Sequence, residues 1–377
     1  MTPAVLHNIR RSNISMKTFK DINKALLSQG RIQKGELIAC LPGETFETFM
    51  SGLKQMMESG TQQIYNYTLE LLYGTEYKEP EYRKKWGYEG KFRIVPADWG
   101  QYDGERIFDV EEVAVKSNTL TFDDYLKIRM TCLLTETMYN EYQYFELLKY
   151  LRQYGLSPAD WIWRTLDRRG EAPEGIQRIF ESFLTDTQAE LFDSEEALFA
   201  HFRIDANFAK LQRGEAGHNV VFTHKGMLIS QHVEQWIEFI TRTCAELVLE
   251  RGTDADPVVV AEEMSALRRY LEAKWRGVLN AGGDLAEVLE PFPFDFLRWR
   301  HDGEGRPLAA FRVSAPVKYR FFFTGIQLKQ RDEDMRRFGY DKRGIAKLYT
   351  RGMSYDPLRH IEDVSDASPA AAAAQLA

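Results

Sequence analysis

Residues 36–49, "ELIACLPGETFETF", constrain the fold more than any other stretch of the chain. Residues suited to a buried strand run into Pro42-Gly43, and a helical pattern opens at once on Glu44. Phe46, Phe49, Met50, Leu53 and Met57 share one face of that pattern, and Gly60 stops it. A second strand, "QQIYNYTLELL" (62–72), follows. This spacing predicts a right-handed parallel βαβ unit, because parallel neighbours need a helical crossover. Such strand-to-helix corners lie at the carboxyl edge of a parallel sheet, where α/β proteins bind ligands. Upstream, Thr2-Pro3 marks a first helix, and Ser15 caps a second whose Phe19, Ile22 and Leu26 share a face before Gly30.

Two parallel strands leave apolar edges unpaired and do not make a stable domain. No later segment repeats the βα pattern. Residues 121–155 read as one long helix opened by a capping-box-like Thr121 and Asp124, and two or three helices are expected between 157 and 275. Alternation returns at "PFPFDFLRWR" and "LAAFRVSAPVKYRFFF" on either side of "HDGEGRP", a hairpin over about 290–323 followed by a helix from Gly325 to Phe338. The fold class is therefore α/β: the C-terminal half of a (β/α) partial TIM barrel, then a mainly α-helical region with a late β-hairpin. The segments expected are a half-barrel (1–75), a post-barrel extension with a long helix (76–156), a helical domain (157–362) and a low-complexity, disordered tail (363–377).

The chain has 377 residues and a net charge of −7, so it carries no basic excess to neutralise the phosphates of a nucleic acid. It contains no apolar run of membrane-spanning length and no signal-peptide core in "MTPAVLHNIRRSN". Cys40, Cys132 and Cys244 are far apart in sequence, which fits a reduced cytoplasmic protein without structural zinc.

Four segments in order carry a family likeness: "MTPAVLHNIRRSNIS", "ELIACLPGET", "YNYTLELLYGTEY", and the stretch from "EPEYRKKWGYEGKFRIV" to "DVEEVAVKSNTLTFDDYLKIR". Together they resemble the second half of a radical S-adenosylmethionine (SAM) barrel and the region after it in members that carry a cobalamin-binding domain. The likeness covers roughly residues 1–150. It departs from the family in two places. Cys40 stands where the family has glycine before Leu-Pro-Gly-Glu-Thr, and the CxxxCxxC loop that would hold a 4Fe–4S cluster is not in the chain. Cluster ligation needs grouped thiolates, so the chain reads as the C-terminal part of an enzyme, its cluster ligands and cobalamin domain lying elsewhere.

The resemblance implies that Arg11 meets the SAM carboxylate, which a guanidinium fork suits, and that backbone from Ile38 to Leu41 lies against the adenine. The bland alternatives are a surface arginine beside Arg10 and an ordinary βα turn with Glu44 at the positive helix end. Asn66 and Tyr67 either reach SAM or substrate from the barrel interior or pack between strand and helix. Cys40 has no base near it in sequence to make it a nucleophile. His218, His224 and His232, at spacings of six and eight, fit no metal motif. Tyr139, Tyr142, Tyr144, Phe145 and Tyr150 read as core, and the mixed charges of 329–343 as a solvated helix face.

The function implied is SAM-dependent radical chemistry, with cobalamin-dependent methyl transfer as the outcome to expect, on a small-molecule or peptide substrate. The competing expectation is a non-catalytic or degenerate partner module that completes a barrel with a separate N-terminal half. A third, "LPGET" as a phosphate-binding turn, lacks the glycines and lysine of a P-loop.

Overall fold

A computed structural model describes residues 2–279, 283–339, 342–351 and 356–365. They form two compact units, one from Met1–Gln143, Ser157–Arg169 and Gln177–Lys225, the other from Tyr144–Leu156, Gly170–Ile176 and Gly226–Ala377.

The first unit opens with α1 (Pro3–Asn8) and α2 (Met16–Ser28), then β1 (Lys34–Ala39), α3 (Phe46–Glu58) and β2 (Gln63–Thr68). β1 and β2 pair in parallel, from Lys34 opposite Gln63 to Ala39 opposite Thr68, as the βαβ reading expects. They form a two-stranded sheet, and no closed barrel is present among the described residues. α3 begins at Phe46 rather than Glu44, because Thr45 and Thr48 form a capping box that sets the first turn. It buries Phe46, Phe49, Met50, Leu53 and Met57, the face the periodicity assigns. α2 differs: Ile22 is 43% exposed, and the one buried residue of the helix is Asn23. Phe19 and Leu26 of the predicted face are half-buried, and the Asn23 amide donates to the Ser59 carbonyl at 3.1 Å, so a polar anchor joins a partial apolar face in holding this helix.

After α4 (Pro80–Trp86) comes an antiparallel hairpin absent from the pattern reading, β3 (Glu89–Tyr102) and β4 (Glu105–Lys116). Its turn is Asp103-Gly104, both at positive φ, the chemistry a two-residue hairpin turn demands. The expected single helix over 121–155 is two helices, α5 (Phe122–Met138) and α6 (Phe145–Gln153), with α6 in the second unit. α5 stops because the Asn140 side chain is committed to β2. Its Oδ1 accepts from the Ile64 N–H at 2.9 Å, and its Nδ2 donates to the Ile64 carbonyl at 3.1 Å. A side-chain amide thus stands in for a neighbouring strand, and Glu141 takes φ 63 to make room.

Between 157 and 275 the expected two or three helices are seven: α7 (Pro158–Asp167), α8 (Glu174–Ala189), α9 (Glu195–Arg203), α10 (Asp205–Arg213), α11 (Val220–Ser230), α12 (Val233–Arg251) and α13 (Pro257–Trp275). Ser194, Gly214 and Asp256-Pro257 are the stop and start signals that divide them. α9 and α10 cover the hairpin: Ile94 and Phe108 pack with Leu198, Phe202, Phe208 and Leu211.

The second unit packs α6, α12 and α13 with a three-stranded antiparallel sheet of β5 (Val288–Phe294), β6 (Arg312–Phe322) and β7 (His360–Asp363), β6 in the centre. The predicted late hairpin is β5–β6, but its first strand ends at Phe294. Asp295 caps α14 (Phe296–His301) by accepting from the Arg298 N–H at 3.0 Å, so "DFLRWR" turns helical and buries Phe296 and Trp299. α15 (Gly325–Phe338) matches its predicted bounds, with Arg331 and Met335 buried, and α16 (Lys342–Arg351) follows. Asp363, the first residue of the predicted disordered tail, belongs to β7, and residues 366–377 lie outside the described ones. Tyr270 of α13 sits amid the rings of Phe292, Phe296, Tyr319 and Phe321 at 4.6–6.1 Å. No helix among the described residues is long and apolar enough to cross a membrane.

Candidate functional site

The corner after β1 is held by side chains from three other places in the first unit. Asn8 Nδ2 donates to the Pro42 carbonyl at 2.9 Å, Tyr88 Oη to the Cys40 carbonyl at 3.0 Å, and Thr119 Oγ1 to the Glu44 carbonyl at 2.7 Å. Cys40 has φ 69, the left-handed region that glycine occupies without strain. Its small side chain is fully buried. Glu44 does not serve the α3 N-terminus. Its carboxylate turns back to accept from the Leu41 N–H at 3.4 Å, and burial raises its pKa to about 7 against the pull of that bond.

A strand's two faces divide the remaining candidates. Gly35, Leu37, Ala39, Ile64, Asn66 and Thr68 share the face that α3 packs on. Lys34, Glu36, Ile38, Tyr65 and Tyr67 share the other, where Ile38 is 39% and Tyr67 49% exposed. Ile38 and Tyr67 are register partners, so the structure brings these two together. Asn66 and Tyr67, adjacent in sequence, point apart. The Asn66 Oδ1 is buried with no hydrogen-bond partner among the described residues. Leu41 is buried beyond the strand end. Tyr67 feels both Glu36 and Tyr65, which add to the effect of burial in raising its phenol pKa.

α1 ends before Arg10, which is left-handed at φ 54 and pairs with Glu76 at 2.9 Å. Arg11 therefore lies on the link between α1 and α2 rather than on a helix, and its guanidinium makes no ion pair among the described residues. It lines a groove of about 540 Å3 with Lys34, Glu36, Met16, Phe19 and Met56. Ile38, Leu41, Asn66 and Tyr67 do not line that groove.

The cysteines do not suit an iron–sulfur cluster. Burial pushes all three thiols toward the protonated form, Cys132 to about 11 and Cys40 and Cys244 higher, whereas a cluster needs thiolates. Among the described residues no three His, Cys, Asp or Glu side chains are grouped to hold a metal ion. His224 is committed elsewhere: its Nδ1–H donates to the Val220 carbonyl at 2.8 Å, leaving Nε2 to accept from Ser182 Oγ at 3.2 Å. Asp186 lies 3.6 Å from the same Nε2. Tyr139, Tyr144 and Tyr150 are buried, as a core reading requires.

Sequence reasoning missed a buried ionic group beside β2. Lys225, fully buried, reaches Glu136 at 3.0 Å and Glu141 at 3.3 Å, while the other Glu136 oxygen accepts from Asn140 at 2.5 Å. Its members are distant in sequence and share no motif, so only the fold assembles them. No protein-family model matches the chain, and no curated protein matches it.

Proposed function

We propose that this chain is the C-terminal part of a radical SAM enzyme and contributes part of a SAM-binding α/β barrel. The observation that carries the reading is the parallel β1–β2 pair ending in a rigid "LPGET" corner, with its second face left open around Ile38 and Tyr67. An aliphatic and a phenolic side chain in register offer a flat apolar surface that suits adenine. Arg11, charged and without an ion-pair partner among the described residues, suits the methionine carboxylate. The SAM-binding residues would be Ile38, Leu41 and Tyr67 for the adenine, with Leu41 contributing backbone, and Arg11 for the carboxylate, the ligand reaching from the open face to the groove past Lys34 and Glu36, which belong to both. Asn66, on the opposite face, would steady β2 rather than touch SAM. SAM supplies the radical precursor when a reduced cluster is present. This chain's own part is to bind and orient SAM and to exclude water around it. The 4Fe–4S cluster and cobalamin take no step on these residues, because the chain's thiols do not suit the first and the described residues offer no domain for the second.

Calorimetric titration of SAM into the wild type, Arg11→Ala, Tyr67→Ala and Arg10→Ala tests this. Arg11→Ala is expected to weaken binding by roughly 10- to 100-fold, the loss of a charge-assisted contact. Tyr67→Ala is expected to weaken it by about 10-fold through lost stacking area. Arg10→Ala, which breaks a surface pair with Glu76, leaves it unchanged. A wild type that does not bind SAM, or equal affinity for all four, removes the reading.

A further inference from the structure

The two edges of the parallel sheet are treated differently. In a parallel ladder alternate residues of a strand turn their N–H and C=O toward the same neighbour. The carbonyls of Gln33 and Ala39 accept from the Gln63 and Leu69 N–H groups, each at 3.0 Å, so odd-numbered residues of β1 face β2. On β2 the outward groups of Ile64 are taken by Asn140, and the chain beyond it bridges β4 at Glu70 opposite Val113. On β1 the outward backbone groups of Lys34, Glu36 and Ile38 have no strand beside them among the described residues. The 540 Å3 groove runs along this edge: it is lined by residues of both β1 faces, Lys34 and Glu36 on one and Gly35 and Leu37 on the other. Leu6, Ile14, Met16 and Phe19 give it apolar lining, interleaved with Arg11, Ser12 and Asn13 of the link between α1 and α2.

Charge adds a direction. Residues 10–34 hold seven basic side chains, Arg10, Arg11, Lys17, Lys20, Lys24, Arg31 and Lys34, against one acid, Asp21, in a chain of net charge −7. Ile14, Met16, Ile22, Leu27 and Ile32 are exposed on the same stretch. A basic, apolar surface could meet a lipid headgroup, but lipid cannot complete a row of strand donors and acceptors. An extended polypeptide can.

We propose that the β1 edge takes an added β-strand from an acidic partner polypeptide, which pairs with the backbone of Lys34, Glu36 and Ile38 and places apolar side chains in the groove and carboxylates near Arg11 and Lys34, the basic residues that line it. The inference rests on the reading of β1–β2 as part of a larger sheet but not on SAM binding. SAM binding without strand addition sinks this inference alone, and strand addition without SAM binding sinks the cofactor reading alone.

The test uses the full chain, a peptide of alternating valine and glutamate, a valine–lysine counterpart, and phosphatidylserine vesicles. Hydrogen exchange of the Lys34, Glu36 and Ile38 amides is expected to slow on adding the acidic peptide, which binds at least about 10-fold more tightly than the basic one at low salt. Glu36→Pro removes an outward N–H that the β1–β2 ladder does not use, a position where edge strands tolerate proline. It is expected to abolish the exchange protection. Lys34→Glu, which keeps the backbone intact, is expected to weaken binding by about 10-fold through charge alone. Unslowed exchange at saturating peptide, equal binding of both peptides, or unchanged binding by Glu36→Pro overturns the proposal. Vesicle binding that Glu36→Pro leaves intact, with no peptide binding, overturns it in favour of a lipid surface.

Discussion

Glu44 shows how far a residue's role can depart from its place in a motif. Next to a helix start, a carboxylate is expected to favour the positive dipole end. Here it is 4% exposed, and its oxygen serves the Leu41 amide instead. Burial raises its pKa from the ordinary 4.5 to about 7, so the folded state favours the protonated acid. The stability this contributes is fully present below about 4.5 and is lost as pH rises through about 7. Glu44→Gln keeps the acceptor and removes the charge. It should abolish that part of the pH dependence and gain on the order of 3 kcal/mol over the wild type at pH 8. Urea unfolding of both proteins at pH 5 and pH 8 measures this, and parallel pH profiles would refute it. Cys40 was readable in advance as a glycine surrogate, and its φ of 69 agrees. What the sequence could not show is that Tyr88 and Thr119, far along the chain, hold the corner on either side of it.

At the level of elements, the informative event is the end of α5. One helix is expected over 121–155, but α5 is buried on nearly every side from Ile128 on and ends at Met138. The helix breaks because Asn140 gains two hydrogen bonds to the otherwise open edge of β2, a tertiary gain that outweighs helix continuity. Asn140→Ala leaves a buried N–H and C=O of Ile64 without partners and uncouples Glu136 from its amide donor. The expected cost is about 2–4 kcal/mol, with faster hydrogen exchange at the Ile64 amide. A stability change under about 0.5 kcal/mol would show that the edge does not need its plug. Sequence reasoning missed the β3–β4 hairpin although its signal is local: Asp103-Gly104, both at positive φ, stands between runs of strand-forming residues. The helix at Phe296–His301 was partly legible, since Asp295 is a good N-cap, but Phe292, Phe294 and Phe296 keep the alternation of a strand across the boundary.

For the molecule as a whole, chain closure in the second unit depends on one late side chain. Arg359, just before β7, donates to the carbonyls of Arg276 at 2.7 Å, Ala286 at 2.6 Å, Asp284 at 2.7 Å and Phe321 at 3.2 Å. It ties the segment after α13 to the β-sheet across as many as 83 residues. Lysine has the charge but not the fork, so Arg359→Lys should leave buried carbonyls unmet and cost roughly 3 kcal/mol or more. Thermal unfolding with a probe in the β5–β6–β7 sheet checks this; an unchanged midpoint would make the contacts dispensable.

The sequence alone determined the elements whose causes are local. A proline–glycine corner and a 3.6-residue apolar period place β1, α3 and β2, because turn and amphipathic face act within a few residues of one another, although the Thr45 cap that moves the helix start to Phe46 went unread. Tertiary structure alone decided which face of β2 each side chain takes relative to its surroundings, where α5 stops, and that one sheet edge is plugged while the other has no strand beside it among the described residues. Those outcomes depend on hydrogen-bonding groups tens of residues apart, and a buried donor or acceptor must be met by whatever the fold brings beside it. Arg11 follows the same rule: the left-handed turn at Arg10 carries it onto the link that borders the groove, which no residue beside it in sequence indicates.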